Sequence, residues 1–244
     1  MEIFESEIRI AEPRERVFEW FTRPGALIRL WPPFGGRVVQ EPSDGINVGS
    51  QLAVAVTLPG TPGLFAEAAA SMLPVALRPE VNWIAEHVEL ELGRQFVDEM
   101  TSGPLKSWRH VHDFVECGDG TLMEDHVSYE LPVPLNNRLG LRLIRTELER
   151  IFSYRERQLA ADLAFHSTMP SRPLTVAITG ASGLIGSQVA ALLGGGGHRV
   201  LKVVRRPSRS DDEISWDPET GHLDAAGLAQ CDVVIHLAGH PIGG

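Results

Sequence analysis

The stretch Leu174-Thr-Val-Ala-Ile-Thr-Gly-Ala-Ser-Gly-Leu-Ile-Gly186 decides how the C-terminal part of this 244-residue chain folds. Its first six residues are mostly apolar and β-branched, the composition of a parallel strand buried on both faces. Gly180, Gly183 and Gly186 then recur every three residues, and a helical pattern runs on through Val189, Leu192 and Leu193. Gly194-Gly-Gly-Gly197 stops the helix, and His198–Val204 reads as a second strand. In a strand–turn–helix–strand unit each glycine has a task. Gly180 permits the tight turn, Gly183 lets a pyrophosphate approach the backbone, and Gly186 lets the helix pack closely on the strand. Free N–H groups and the dipole at the helix N-terminus favour the anion. The candidate contacts are therefore Gly180, Ala181, Ser182, Gly183, Leu184, Ile185 and Gly186.

This G-x-x-G-x-x-G spacing, with strand and helix both in place, resembles the short-chain dehydrogenase/reductase superfamily. More narrowly it resembles the nucleotide-sugar-epimerase-like branch often labelled as cell-division inhibitors. Val203-Val-Arg-Arg-Pro207, Trp216-Asp-Pro218 and Val233-Val-Ile-His-Leu-Ala-Gly239 carry the rest of the likeness. The resemblance implies a Rossmann domain over residues 174–244, with Leu237, Ala238 and Gly239 beside the adenosine and ribose of a nicotinamide cofactor. Arg205 and Arg206 stand where NAD sites usually place a carboxylate, and Arg209 is close behind. A guanidinium fork suits the 2′-phosphate, so NADP is expected over NAD. His236 is read as a hydrogen-bonding group of the core, and Cys231 as a small core residue.

Reductases and epimerases of that superfamily need a Tyr-x-x-x-Lys pair, in which the lysine and the cofactor's charge lower the tyrosine pKa. The only tyrosines are Tyr129 and Tyr154, both ahead of the glycine turn and neither followed by lysine four places on. The residues after the linker are read as about three strands, against about five to seven in a full dinucleotide fold. The first strand is then expected to leave an apolar edge open to solvent or to another copy. An incomplete domain without catalysis of its own is the expectation, from a protein that continues past Gly244 or is a truncated remnant.

Ser167-Thr-Met-Pro-Ser-Arg-Pro173 is read as a linker, so residues 1–166 form a separate domain. Strands are expected at Ile3–Ile10, Gly36–Glu41, Gln51–Leu58, Val81–Glu91, Gln95–Thr101, Ser107–Glu116 and Thr121–Leu131, with a hairpin turn at Cys117-Gly-Asp-Gly120. Helices are expected after Pro13, at Ala26–Trp31 and over Leu139–His166, and Leu64–Leu77 is read as a possible helical insert. With Glu12-Pro-Arg-Glu-Arg-Val-Phe-Glu-Trp-Phe21, Phe96-Val-Asp-Glu99 and Trp108-Arg-His-Val-His-Asp-Phe114, this order resembles the START-like, polyketide-cyclase-like (SRPBCC) superfamily. The resemblance implies a curved antiparallel sheet gripping a long helix, with a cavity between them for a small, partly apolar molecule.

Strand alternation puts Trp108, His110, His112 and Phe114 on one face, and Trp83 with His87 on one face of an earlier strand. Trp83, His87, Trp108, His110 and His112 are therefore candidate cavity residues. Three readings of the histidines stand open: hydrogen-bonded structural groups, polar groups of a pocket, or metal ligands. No compact ligand motif is present, and no metal is assigned.

Composition supports packed domains, with 43% hydrophobic and 22% charged residues. A formal charge of −10 argues against nucleic acid and against anionic lipid as partners. Two distant cysteines, no basic-then-apolar leader and no membrane-length apolar run point to the cytoplasm. The expectation is an α+β helix-grip (START-like) domain, residues 1–166, followed by an incomplete α/β Rossmann domain. Its partners would be a small-molecule ligand and NADP, with a homo-oligomer conceivable. The function is a nucleotide-sugar-epimerase-like reductase when complete, or else a non-catalytic sensor of a ligand or redox cofactor. A third possibility assigns catalysis to the N-terminal cavity through His110 or His112.

Overall fold

Thr121, Met123, Asp125, Val127 and Tyr129 are buried while the residues between them are half-exposed, the period-two pattern of a strand with one face on a core. The same logic organises the N-terminal part of the computed structural model, which describes residues 1–57, 80–133, 135–169 and 172–239. The elements there are β1 (Glu2–Ile10), α1 (Arg14–Thr22), α2 (Ala26–Leu30), β2 (Gly36–Gln40), β3 (Gln51–Thr57), β4 (Glu80–Glu91), β5 (Gln95–Ser102), β6 (Ser107–Cys117), β7 (Gly120–Glu130) and α3 (Arg138–Ser167). The expected elements form, each within about two residues of its anticipated ends. The Leu64–Leu77 insert and part of the linker lie outside the described residues.

The described chain divides into two units, Met1–Thr22 with Leu30–Ala161, and Arg23–Arg29 with Asp162–Gly244. The first is α+β: a seven-stranded antiparallel sheet in the order β1-β7-β6-β5-β4-β3-β2, with helices. β6 and β7 meet through a two-residue loop in which Gly118 takes φ +63°. Phe4, Val127, Tyr129, Leu131, Leu148 and Phe152 make one core cluster, so α3 lies on β1 and β7. The Phe4 and Phe152 rings stand 5.0 Å apart. Leu143 of the same helix faces away from this core and is 53% exposed. It precedes Phe152 by nine residues, about half a turn out of phase at 3.6 residues per turn. A second aromatic group joins Phe18 and Phe21 of α1 to Phe96 and Phe114 of the sheet.

The second unit holds β8 (Thr175–Thr179), α4 (Leu184–Gly195), β9 (Arg199–Val204), β10 (Glu213–Asp217), β11 (His222–Leu223), α5 (Ala225–Leu228) and β12 (Val233–His236). Its sheet order is β11-β10-β9-β8-β12, parallel throughout except for the β10–β11 pair. This corrects two expectations. Among the described residues there are five strands, not three, and β8 is no edge, because β12 returns to pair with it in register from Val176↔Val233 to Thr179↔His236. β10 was missed because only Ile214 of its five residues reaches the core. β8 itself is buried on both faces, with Val176, Ala177 and Ile178 at 2% exposure or less. No helix among the described residues is long and apolar enough to cross a membrane.

Residues 23–29 belong to this unit through close backbone packing and one ion pair. Gly25 takes φ +94°, and a Cβ there would press on the backbone of Ala191. Arg29 donates to both carboxylate oxygens of Asp162, at 2.7 and 2.6 Å, and to Gln188 Oε1 at 2.9 Å. Asp162 is 3% exposed, so removing it strands a part-buried guanidinium. Asp162→Ala is expected to destabilise the second unit by about 3–5 kcal/mol. Urea unfolding would show this as a lower midpoint at unchanged slope.

Candidate functional site

β8 ends at Thr179, and the chain enters Gly180 at φ +69°. A Cβ on Gly180 would stand 2.9 Å from Ala238 N and Leu237 C. One on Gly186 would collide with the Gly180 carbonyl oxygen and with Ala181 Cα. The fold itself therefore requires these two glycines. Gly183 and Gly239 differ: the nearest atom to a Cβ on Gly183 is Gly180 O at 3.3 Å, and nothing lies within 4 Å at Gly239. Gly239 is thus open and Gly183 keeps one close contact, and exposed backbone at both is what a pyrophosphate needs.

Gly183 caps α4 in extended conformation and supplies no side-chain acceptor. The first intrahelical bond is Ser187 N–H to Gly183 O, so the amides of Leu184, Ile185 and Gly186 precede it. Leu184 and Ile185 are 88% and 66% exposed, while Ala181 is buried and Ser182 exposed. Beside this turn, Thr179 Oγ1 accepts from Leu237 N and Ala238 N, each at 3.1 Å, and lies 2.8 Å from His236 Nδ1. That hydroxyl aligns Leu237–Gly239 with the glycine turn. Sequence reading passed over Thr179, although a hydroxyl at the last strand position before the glycine was visible. His236 makes its bond to Thr179 but is exposed, so it is not the core group expected.

Arg205 and Arg206 follow β9 on the same carboxyl edge, since Val203 pairs with Thr179. Arg206 is engaged: it donates to Glu213 at 2.7 and 2.6 Å. The Arg206 hydrogen bonds first, and then the Arg209 backbone N–H, hold the Glu213 carboxyl down at about 2. Arg205 is exposed at the strand end. Of the two arginines it is the one left to meet an added anion.

A second constellation sits on the sheet of the first unit. Register places His87 across from Asp98, Asp98 across from His110, and His112 across from Asp125. All are buried or nearly so. His110 Nε2 and His112 Nδ1 each lie 2.8 Å from Asp125 Oδ1, while Asp98 Oδ2 stands 3.5 Å from His110 Nδ1 and 3.4 Å from His112 Nε2. The His112–Asp125 approach is misaligned, and His112 Nδ1 is buried without a hydrogen-bond partner. Burial and the neighbouring His112 push His110 down to about 4, against the pull of Asp125 and Asp98. Burial alone would lower His112 as well, but Asp125 through its charge on one side and Asp98 on the other raise it. Burial would raise Asp98, yet the neighbouring His112, His110 and His87 imidazoles hold it at about 2. Asp125 is lowered in the same way, chiefly by His112 against desolvation.

The candidate cavity residues divide. The Trp83 and Trp108 rings pack edge-to-face at 5.0 Å, and His110 and His112 lie 3.8 Å apart by ring centres. A shallow opening with room for about one water lies between sheet and α3, lined by Ile8, Phe21, Leu30, Met123, Asp125, Arg155, Glu156 and Leu159. None of the five candidates lines it, and it meets the histidine cluster only through Asp125. Sequence reading grouped His87 with His110 and His112. The folded cluster substitutes Asp98 for His87 and adds Asp125. An acid at a core position between Met123 and Val127 was the available signal for Asp125.

Residues 176–244 match the NAD dependent epimerase/dehydratase family. The epimerase family protein ML0860 of Mycobacterium leprae is 42% identical over 73 residues, covering 30% of this chain and 24% of that protein. The epimerase family protein SDR39U1 of Mus musculus is 42% identical over 69 residues, covering 28% and 22%. The crystal structure of the nucleoside-diphosphate sugar epimerase from Corynebacterium glutamicum aligns with 97% of this chain and 46% of its own, at TM-score 0.70 and 32% identity. The chain thus spans less than half of that enzyme and under a quarter of those curated relatives. Its C-terminal part is epimerase-like, and the family description names a nicotinamide-type cofactor.

The two kinds of glycine separate in a stability test. Gly186→Ala is expected to destabilise the second unit by about 1–3 kcal/mol, because the backbone must move. Gly183→Ala should stay within about 1 kcal/mol of the parent. Chemical unfolding of the two variants, followed side by side, checks the order.

Proposed function

We propose that the second unit binds NADP(H) at the Gly180–Gly186 turn, as the cofactor half of a nucleotide-sugar-epimerase-like reductase. The observation carrying this reading is the exposed backbone of Gly183 beside first-turn amides that precede the first helix bond, within the segment that matches the epimerase family. Gly183 through Gly186 would hold the pyrophosphate, and Leu237–Gly239 would lie along the nucleoside. Exposed Leu184 and Ile185 would cover its apolar surface and exclude water. Arg205 would meet the 2′-phosphate, since Arg206 already serves Glu213. NADP(H), when bound, supplies hydride chemistry. The domain so formed is the Rossmann domain of the proposal, with Arg23–Arg29 packed into it.

The first unit is proposed to be a START-like, helix-grip domain that takes a small, partly apolar molecule between the sheet and α3. The strand order and the seating of α3 support this. The full protein would then act on a sugar nucleotide or another carbonyl substrate. A second reading is a non-catalytic sensor of a ligand or redox cofactor.

Titration with NADPH and NADH, followed by nucleotide fluorescence, tests the proposal on this chain. Saturable binding with NADPH the tighter is expected. Arg205→Ala should weaken NADPH by about 10–100-fold, the worth of a charged hydrogen bond, and leave NADH unchanged. No saturable binding of either nucleotide would overturn the site. Equal affinities would overturn the NADP preference alone. Binding without turnover on a protein carrying Tyr-x-x-x-Lys would decide for the sensor.

A further inference from the structure

We infer that Asp98, His110 and His112 form a site for a divalent transition metal with zinc-like preferences, backed by Asp125 behind both rings. Three adjacent strands build it. β5 supplies Asp98, β6 supplies both histidines, and β7 supplies Asp125, with the Asp98↔His110 and His112↔Asp125 pairs in direct register.

The distances separate the two sides of the imidazole pair. Toward Asp125 both approaches are 2.8 Å, too close to admit an ion between donor and acceptor. Toward Asp98 they are 3.5 and 3.4 Å, beyond the roughly 2.7–3.2 Å of a good N–H···O bond. A tetrahedral ion with bonds near 2.0–2.1 Å spaces its ligands about 3.3 Å apart. Asp98 Oδ2, His110 Nδ1 and His112 Nε2 all lie within 4.8 Å of one another. The gap on the Asp98 side has the size of a metal, not of a hydrogen bond.

The surroundings fit as well. With Nε2–H of His110 donated to Asp125, the Nδ1 lone pair faces Asp98, the tautomer a metal requires. Histidine ligands are commonly oriented by such a rear carboxylate. His87, cross-strand from Asp98, keeps a buried Nδ1 with no hydrogen-bond partner, so polar capacity on this face is left unspent. Two carboxylates with two imidazoles suit a dication. An N,N,O donor set favours zinc, cobalt or iron over calcium or magnesium, which take oxygen ligands. Three protein ligands leave a fourth position for water.

The test uses the whole chain, freed of metal with a chelator and titrated with Co(II), then with competing Zn(II). One equivalent of Co(II) with the visible bands of a tetrahedral site is expected. X-ray absorption of the zinc-loaded protein should count two imidazoles plus oxygen donors. Asp125→Asn should weaken binding by about 10–100-fold, and His110→Asn should abolish the stoichiometric site. His126→Asn, at a half-exposed histidine of β7, should change nothing. The inference falls if the parent chain binds no stoichiometric Co(II), if the spectrum shows no imidazole, or if binding survives His110→Asn. Should His110→Asn fail to fold, the imidazole count on the parent protein decides the matter.

Discussion

The two-residue period of a β-strand governs the first unit of this protein. In the first unit it sorts side chains onto one buried face, so residues two apart on β6 become neighbours, and register brings in partners from β5 and β7. That is how four ionisable groups come to share one patch under an aromatic and aliphatic cover. Burying such groups is costly unless they satisfy one another, and here each carboxylate faces both imidazoles. A slip of one residue in the β5–β6 register would move Asp98 to the opposite face and leave the histidines uncompensated.

In the second unit the same period is masked, because β8 is covered on both faces and reads as a continuous apolar run. What organises that unit is the exit from β8. Gly180 and Gly186 allow the turn to fold back under the start of α4, and the Thr179 hydroxyl fastens the end of β12 to the same point. The exposed Gly183, Leu184 and Ile185 follow from that tight turn. A surface both apolar and lined by amides that precede the first helix bond is poorly solvated as it stands, which suits it to a ligand with a flat apolar body and an anionic link.

Local chemistry made several elements legible. Pro13, the Cys117–Gly120 turn, the glycine run at 194–197 and the alternation through β6 and β7 each carried a mechanism as well as a propensity. β10 escaped because its single core residue, Ile214, gives no period to detect. The position of β12 escaped for a different reason. Nothing in Val233–His236 says on which side of β8 it will pair, and its placement corrected the expectation of an open central strand. The role of Arg206 was equally hidden, since its partner Glu213 begins a strand that sequence reading did not see.

The sequence alone determined most of the elements, the glycine turn and the absence of a Tyr-x-x-x-Lys pair from these residues, because these depend on residues near one another along the chain. It also put His110 and His112 on one face, since alternation is a property of a single strand. Tertiary structure decided which acids meet them. Asp98 and Asp125 are brought in by cross-strand register, which joins residues 12 to 15 places from their partners and depends on hairpin geometry and the packing of α3. It likewise chose Arg205 over Arg206 as the unengaged cation, because an ion pair between strand ends exists only after the sheet has formed.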